Sequence, residues 1–209
     1  MSQISPTVLA SNEADFATQM RRITPFAKRI QIDLMDGDFA SPASVELGKV
    51  WWPPNLQTDL HLMYRNPEKY LKELILLKPH MVIVHAEILL HHMHFAAELH
   101  KESIQAGLAV LPETEISDVE QILNSFDHLL IFSGDLGKFG GEADLSLLEK
   151  VKQAKEHHPS LEIGWDGGVN NINAQKLLED GVDVLNAGGF IQKAENPADA
   201  YKSLESAIN

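Results

Sequence analysis

Four polar side chains stand among apolar neighbours at spacings that could do chemistry. Gln31 and Asp33 lie two apart in Ile30-Gln31-Ile32-Asp33-Leu34-Met35, His61 lies in Asp59-Leu60-His61-Leu62-Met63, and Asp166 lies in Gly164-Trp165-Asp166-Gly167-Gly168. Two carboxylates brought to one point can move a proton in both directions, one as base and one as acid. With an imidazole and an amide oxygen beside them, they could also hold a divalent metal. The chain has no cysteine, which excludes disulfides and thiolate sites. A metal shell of Gln31, Asp33, His61 and Asp166 would therefore suit zinc, iron, manganese or cobalt. Spacing alone leaves a second interpretation equally open, in which Asp33 and His61 form a structural ion pair and Asp166 caps the following turn.

Three glycine pairs add a second kind of site. Gly140-Gly141, Gly167-Gly168 and Gly188-Gly189 each follow a short apolar run, and paired glycines let backbone amides approach a phosphate without help from lysine. Any one pair could equally be an ordinary tight turn. The cluster His91-His92-Met93-His94 is expected on an outer helix face rather than at a metal. His85 ends its own apolar run and is expected to face inward with Ile83, where a role in supporting the site or touching substrate is kept open beside a purely structural one.

Short apolar runs alternate with longer amphipathic ones along the whole chain and must position these residues. Strands are expected at Ile4–Leu9, Arg29–Met35, Thr58–Met63, Met81–Ala86, Gly107–Leu111, His128–Phe132, Leu161–Trp165 and Val182–Asn186. Helical patterns cover Glu13–Ile23, a shorter piece near Ser44–Trp51, Pro67–Leu77, Leu89–Ile104, Ser117–Asn124, Leu145–His157, Ala174–Asp180 and Pro197–Ile208. Asn66-Pro67 and Asn196-Pro197 look like capped helix starts, and Gly181 like a stop. Strict alternation implies parallel strands with right-handed crossovers, and eight units in 209 residues fit a minimal (β/α)8 barrel of one domain. An open doubly wound sheet has the same periodicity. Period-2 alternation turns Gln31, Asp33 and Met35 to one face, and Asp59, His61 and Met63 likewise.

Charge and composition exclude several functions. With 17 Lys and Arg against 30 Asp and Glu, a net charge of −13 does not suit a nucleic-acid partner. No apolar run reaches membrane-spanning length and the N-terminus does not read as a signal peptide, so a cytoplasmic protein with no membrane partner is expected. Oligomerisation, including a homo-oligomer, is left open.

In order along the chain, several segments resemble those of ribulose-phosphate 3-epimerases. They are Ile32-Asp33-Leu34-Met35-Asp36-Gly37 with Phe39, His61-Leu62-Met63 with Asn66-Pro67, Val84-His85-Ala86-Glu87, Phe139-Gly140-Gly141, and Asp166-Gly167-Gly168-Val169. Each lies at the end of an expected strand or in the loop that follows it. The resemblance implies a TIM barrel, one divalent metal, and interconversion of D-ribulose 5-phosphate with D-xylulose 5-phosphate by inversion at C3 through a metal-stabilised enediolate. It implies Asp33 and Asp166 as acid/base carboxylates on the metal, and His61 as a further ligand near the substrate. Thr7 falls where the family usually has a serine, and Phe139, Gly140, Gly141, Gly167, Gly168, Val169, Gly188 and Gly189 fall at substrate and phosphate positions.

This chain departs from the pattern in places. Gln31 replaces a histidine ligand, Phe132 a methionine and Gly189 a serine. Ala40-Ser41-Pro42-Ala43 replaces Val-Pro-Asn, and the Ser133–Gly141 loop is one residue longer and lacks its proline. These departures keep two alternatives in view: an epimerase for a related ketose phosphate such as allulose 6-phosphate, and a catalytically silent barrel that binds a sugar phosphate.

Overall fold

The computed structural model describes residues 3–138 and 140–208. Eight strands occur in chain order: β1 Gln3–Leu9, β2 Arg29–Met35, β3 Gln57–Met63, β4 Met81–His85, β5 Gln105–Val110, β6 His128–Phe132, β7 Glu162–Asp166 and β8 Val184–Ala187. Each pairs in parallel with the next, and β1 pairs with β8 from Gln3↔Val184 to Pro6↔Ala187, so the sheet closes into a barrel. That ladder excludes the open sheet, which periodicity could not do. Around the barrel run α1 Glu13–Ile23, α2 Leu71–Leu77, α3 His92–Lys101, α4 Ile116–Leu123, α5 Leu148–His157, α6 Ala174–Glu179, α7 Gly189–Gln192 and α8 Pro197–Ile208.

Differences from expectation have local causes. The Ser44–Trp51 piece forms only a 3-10 turn at Leu47–Lys49. The helix expected over Leu89–Ile104 shrinks to α3, which starts at His92 and ends before Ser103, where φ 61 takes the chain out of helical geometry. Gly181, at φ 105, ends α6 as expected, but Val182 N–H then bonds back to Leu177, so β8 starts later than expected. Asn196 caps α8 by accepting from Ala198 N–H at 3.1 Å, whereas the Asn66 side chain makes no capping bond. The four-residue α7 was not expected.

Alternation sorts the strands into two cores. Outward residues such as Ile32, Leu34, Leu60, Val84 and Trp165 pack against helix residues including Phe16, Met20, Leu74 and Phe95. Burial at about 1.5–3 kcal/mol per large apolar side chain holds the two layers together. Inward residues fill the barrel. At its amino end Arg29 is buried, with Nε 2.6 Å from Asp59 Oδ2 and a forked pair of bonds to Glu162 at 2.9 and 2.8 Å. His128 Nδ1 adds a contact to Glu162 at 2.7 Å. Burial alone would raise the Glu162 carboxyl, but His128 and Arg29 together hold it below the usual carboxylate range. Above this ionic layer Met81, Ile83, Ala109 and Leu130 form an apolar plug. A Cβ on Gly107 would lie 2.7 Å from Ile83, so the plug has no spare room. The carboxyl ends of the strands stand above the plug.

Candidate active site

β2 and β3 pair in register, Asp33 opposite His61, and β7 brings Asp166 from across the barrel. Trp165 faces outward, fully buried, and its indole N–H donates to Gly167 O at 3.0 Å, bracing the turn just after Asp166. Ligand atoms of Asp33, His61 and Asp166 all lie within 4.8 Å of one another, the one such group of three or more His, Cys, Asp or Glu side chains among the described residues. His61 Nδ1 is 3.1 Å from Asp33 Oδ1 and 3.9 Å from Asp166 Oδ2. The expected convergence of these three residues is present.

Gln31 lies at the same centre, fully buried, and presents its amide nitrogen. Nε2 donates to Asp33 Oδ1 at 2.8 Å and to Asp166 Oδ2 at 2.6 Å. Its Oε1 is buried with no hydrogen-bond partner. Two carboxylates converging on one donor make a place that suits a cation. Rotating the amide would bring the orphaned Oε1 into it, so the residues present fit a divalent metal. Asp166 keeps 14% side-chain exposure. Burial first, and the charge of Asp33 second, push its carboxyl up to about 7, against the opposing pull of His61 and Gln31. This aspartate is therefore poised to hold or release a proton near neutrality.

Behind His61 lies His85, also fully buried, with its Nε2 2.9 Å from His61 Nε2 and its Nδ1 3.3 Å from Glu87 Oε2. Burial pushes His85 down to about 4 despite the upward pull of Glu87, so the ring is neutral at physiological pH. His85 faces inward as expected; Glu87 appeared in the sequence only as part of a motif.

A cavity of about 300 Å³ opens above this centre. Thr7, Asp33, Asp166, Gly140, Gly141, Gly167, Gly168, Val169, Gly188 and Gly189 all line it, while Gln31 and His61 lie beneath. Phe139 lies outside the described residues. Part of the need for glycine is backbone packing between loops. A Cβ on Gly168 would sit 2.1 Å from Ala143 N at φ +68, and one on Gly189 would sit 3.2 Å from Gly140 Cα. Lys138 and Lys193 also line the cavity. A Cβ on Gly140 would come within 3.2 Å of Lys193 Nζ, so a cation stands beside the glycine loops where backbone amides alone were expected. The signal for it was a lysine one turn past Gly188-Gly189, legible only once α7 is known. Asn186, buried on β8 opposite Asp166, lines the cavity too, a role that its sequence context does not mark.

Among the described residues, the His91–His94 cluster joins no group of three or more metal-ligating side chains. His94 is exposed and 3.8 Å from Glu98, while His92 turns inward and its Nε2 lies 2.9 Å from the His85 carbonyl.

Eight parallel strands closed into a barrel, with paired carboxylates at their carboxyl ends beneath a glycine-lined cavity, define a TIM-barrel protein with a candidate site at the barrel mouth. The chain belongs to the Ribulose-phosphate 3 epimerase family, which it matches over residues 3–192, and so to a family of isomerases. A ribulose-phosphate 3-epimerase of Helicobacter pylori is 30% identical over 213 residues, covering 98% of this chain and 97% of the relative. Among solved structures, 3-hexulose-6-phosphate synthase from Salmonella typhimurium superimposes with a TM-score of 0.74 at 11% identity, covering 99% of this chain and 98% of that one. KGPDC from Streptococcus mutans gives 0.73 at 14% identity, with 100% and 97% covered. At these identities the structural likeness shows the fold alone. Among the described residues, no helix is long and apolar enough to cross a membrane.

Proposed function

We propose that this chain inverts C3 of a ketose phosphate, with D-ribulose 5-phosphate and D-xylulose 5-phosphate as the interconverted pair, using Asp33 and Asp166 as the two proton carriers. The observation that carries this reading is the convergence of two carboxylates, Asp33 and Asp166, with His61 at the floor of a glycine-lined cavity. Inversion needs two groups, because a single base returns the proton to the face it left. One carboxylate removes the C3 proton and the electron pair moves into an enediolate. The other carboxyl then delivers its proton to C3 from the opposite face, and the two have exchanged protonation states. In the metal-free protein burial and the Asp33 charge push the Asp166 carboxyl up, which favours Asp166 as the partner that begins protonated.

Asp33, His61 and Asp166 would hold the divalent metal, zinc, iron, manganese or cobalt, with Gln31 joining through Oε1 after its amide turns. When bound, the cation supplies Lewis-acid stabilisation of the negative charge that develops on the substrate oxygens. The loops at Gly140-Gly141, Gly167-Gly168 and Gly188-Gly189 would take the phosphate, with Lys193 alongside. Thr7 and Val169 would line the sugar.

A binding-only barrel is favoured by one observation, the Gln31 amide sitting between the carboxylates. Purified protein supplied in turn with each of the four metals, and assayed on ribulose 5-phosphate, allulose 6-phosphate and free ribulose, separates the readings. Turnover of a phosphorylated ketose, with free ribulose poor, is the expected result. Turnover of allulose 6-phosphate alone would move the substrate, and inactivity on every ketose with every metal would leave the binding-only barrel.

Phosphate recognition has its own test. Gly168→Ala adds a Cβ 2.1 Å from a backbone nitrogen at a positive φ. Backbone strain of about 1–3 kcal/mol must be relieved by moving the loop after β6. The expected outcome is a KM about tenfold higher for the phosphorylated substrate with kcat little changed, which corresponds to ~1.4 kcal/mol of lost binding. An unchanged KM would remove these glycines from the phosphate site.

A further inference from the structure

We propose that Glu87 and His85 are positioning residues that fix the ring tautomer of His61, and thereby make its Nδ1 the atom offered to a cation between Asp33 and Asp166. This rests on reading Asp33, His61 and Asp166 as a metal site. The wiring starts in the segment just after β5. Glu87 Oε1 accepts from Leu111 N–H at 2.8 Å and from the Thr114 hydroxyl, which pins the carboxylate and leaves Oε2 facing His85 Nδ1. A carboxylate only accepts, so His85 Nδ1 carries the hydrogen. A neutral imidazole has one N–H, so His85 Nε2 is bare. The atom 2.9 Å from it is His61 Nε2, which must donate. With that hydrogen on Nε2, the His61 ring is left with Nδ1 as its free ligand atom, aimed at Asp33 Oδ1 and Asp166 Oδ2.

The Gln31 amide donates to the two carboxylate oxygens but not to Nδ1, so the imidazole lone pair still faces two acceptors, a repulsion that a cation, or a second proton on His61, would relieve. The relay thus prepares Nδ1 as a ligand before any metal arrives. Ring rotation is resisted by packing. His61 and His85 stack with centroids 5.0 Å apart, Phe39 lies 4.9 Å from His85, and Phe132 lies within 6 Å of both rings. His92 holds the His85 carbonyl from the α3 side.

Glu87→Gln tests the direction of this wiring with almost no change in shape. Leu111 N–H still requires an acceptor, so the new amide oxygen stays at the Oε1 place and the amide nitrogen takes the Oε2 place against His85. There it donates to Nδ1, the His85 hydrogen moves to Nε2, and His61 is driven to carry its hydrogen on Nδ1, blocking the ligand atom. Imidazole nitrogen NMR of 15N-histidine protein, metal-free and with Zn²⁺, reads the tautomers, and calorimetric Zn²⁺ titration reads the affinity.

In wild type His85 should be protonated at Nδ1 alone. In Glu87→Gln it should be protonated at Nε2 alone, with Zn²⁺ bound at least about tenfold more weakly. Thr114→Val removes a donor but keeps the carboxylate, and should leave both readings as in wild type. Wild-type His85 protonated at Nε2 would overturn the proposal, even if Glu87→Gln failed to fold. So would a Glu87→Gln protein binding Zn²⁺ within twofold of wild type, or a wild type that binds no Zn²⁺. Zn²⁺ and tautomer responses as expected, in a protein that epimerises no ketose phosphate, would sink the proposed reaction and leave the relay standing.

Discussion

Asp166→Asn should lower net epimerisation by roughly a thousandfold, since a general acid or base contributes about 10²–10⁴ and the asparagine amide can neither take nor give the proton. The substitution keeps size and still offers an oxygen to Gln31 Nε2, so collapse of the site is not the expected cause. With one carboxylate left, exchange of the C3 proton with solvent deuterium should persist from the face that Asp33 serves. Asp33→Asn should show the mirror result. Deuterium incorporation measured beside epimer formation checks both, and epimerisation within tenfold of wild type in either variant would end the two-carboxylate mechanism.

A stability signature accompanies Asp166→Asn in metal-free protein. A carboxyl raised from 3.8 to about 7 on folding binds its proton more tightly in the native state. Its stabilising contribution is therefore complete below about pH 3.8 and is lost as pH rises through about 7, a swing of at most a few kcal/mol. Urea unfolding with a chelator present should show the variant more stable than wild type at pH 8, with the difference shrinking at pH 5. A less stable variant at pH 8 would mean that burial and Asp33 do not strain this carboxyl.

Much of this site was legible because strand periodicity reports facing. Gln31, Asp33 and His61 alternate with leucine and isoleucine, and the barrel places all three inside as the alternation requires. Closure was not legible, because the β1 to β8 ladder joins residues some 180 positions apart and leaves no mark on local pattern. The same limit hid the ionic layer. Arg29 reaches Glu162, 133 positions away, and nothing at either residue announces the other. The helix α7 is a four-residue turn of Gly-Phe-Ile-Gln, too short for any period, so Lys193 could not be placed beside Gly140. Facing also says nothing about which end of an amide points inward. Gln31 was expected to offer its oxygen to a metal, and the structure turns its nitrogen to the carboxylates.

That orientation makes Gln31→His the sharpest test of position 31, with Zn²⁺ and Co²⁺ affinity expected to rise by one to two orders of magnitude. In wild type a cation must displace two amide hydrogen bonds to Asp33 and Asp166. Turning the amide to offer Oε1 then sends the NH2 group to the buried place where Oε1 now has no partner. An unsatisfied buried donor costs about 1–3 kcal/mol, a factor of roughly 5 to 150 in affinity. Histidine removes that penalty and brings a better donor for zinc, cobalt and iron. Without metal the order should reverse, because the imidazole makes one hydrogen bond where the amide made two, and the variant should melt below wild type in chelator. Calorimetric titration with each metal, paired with melting in chelator, reads both effects. Raised affinity with a lowered metal-free melting temperature places residue 31 on the metal. Unchanged or weaker affinity would show that Gln31 serves only as a hydrogen-bonded bridge between the carboxylates, leaving Asp33, His61 and Asp166 to hold the cation with a donor from solvent or substrate.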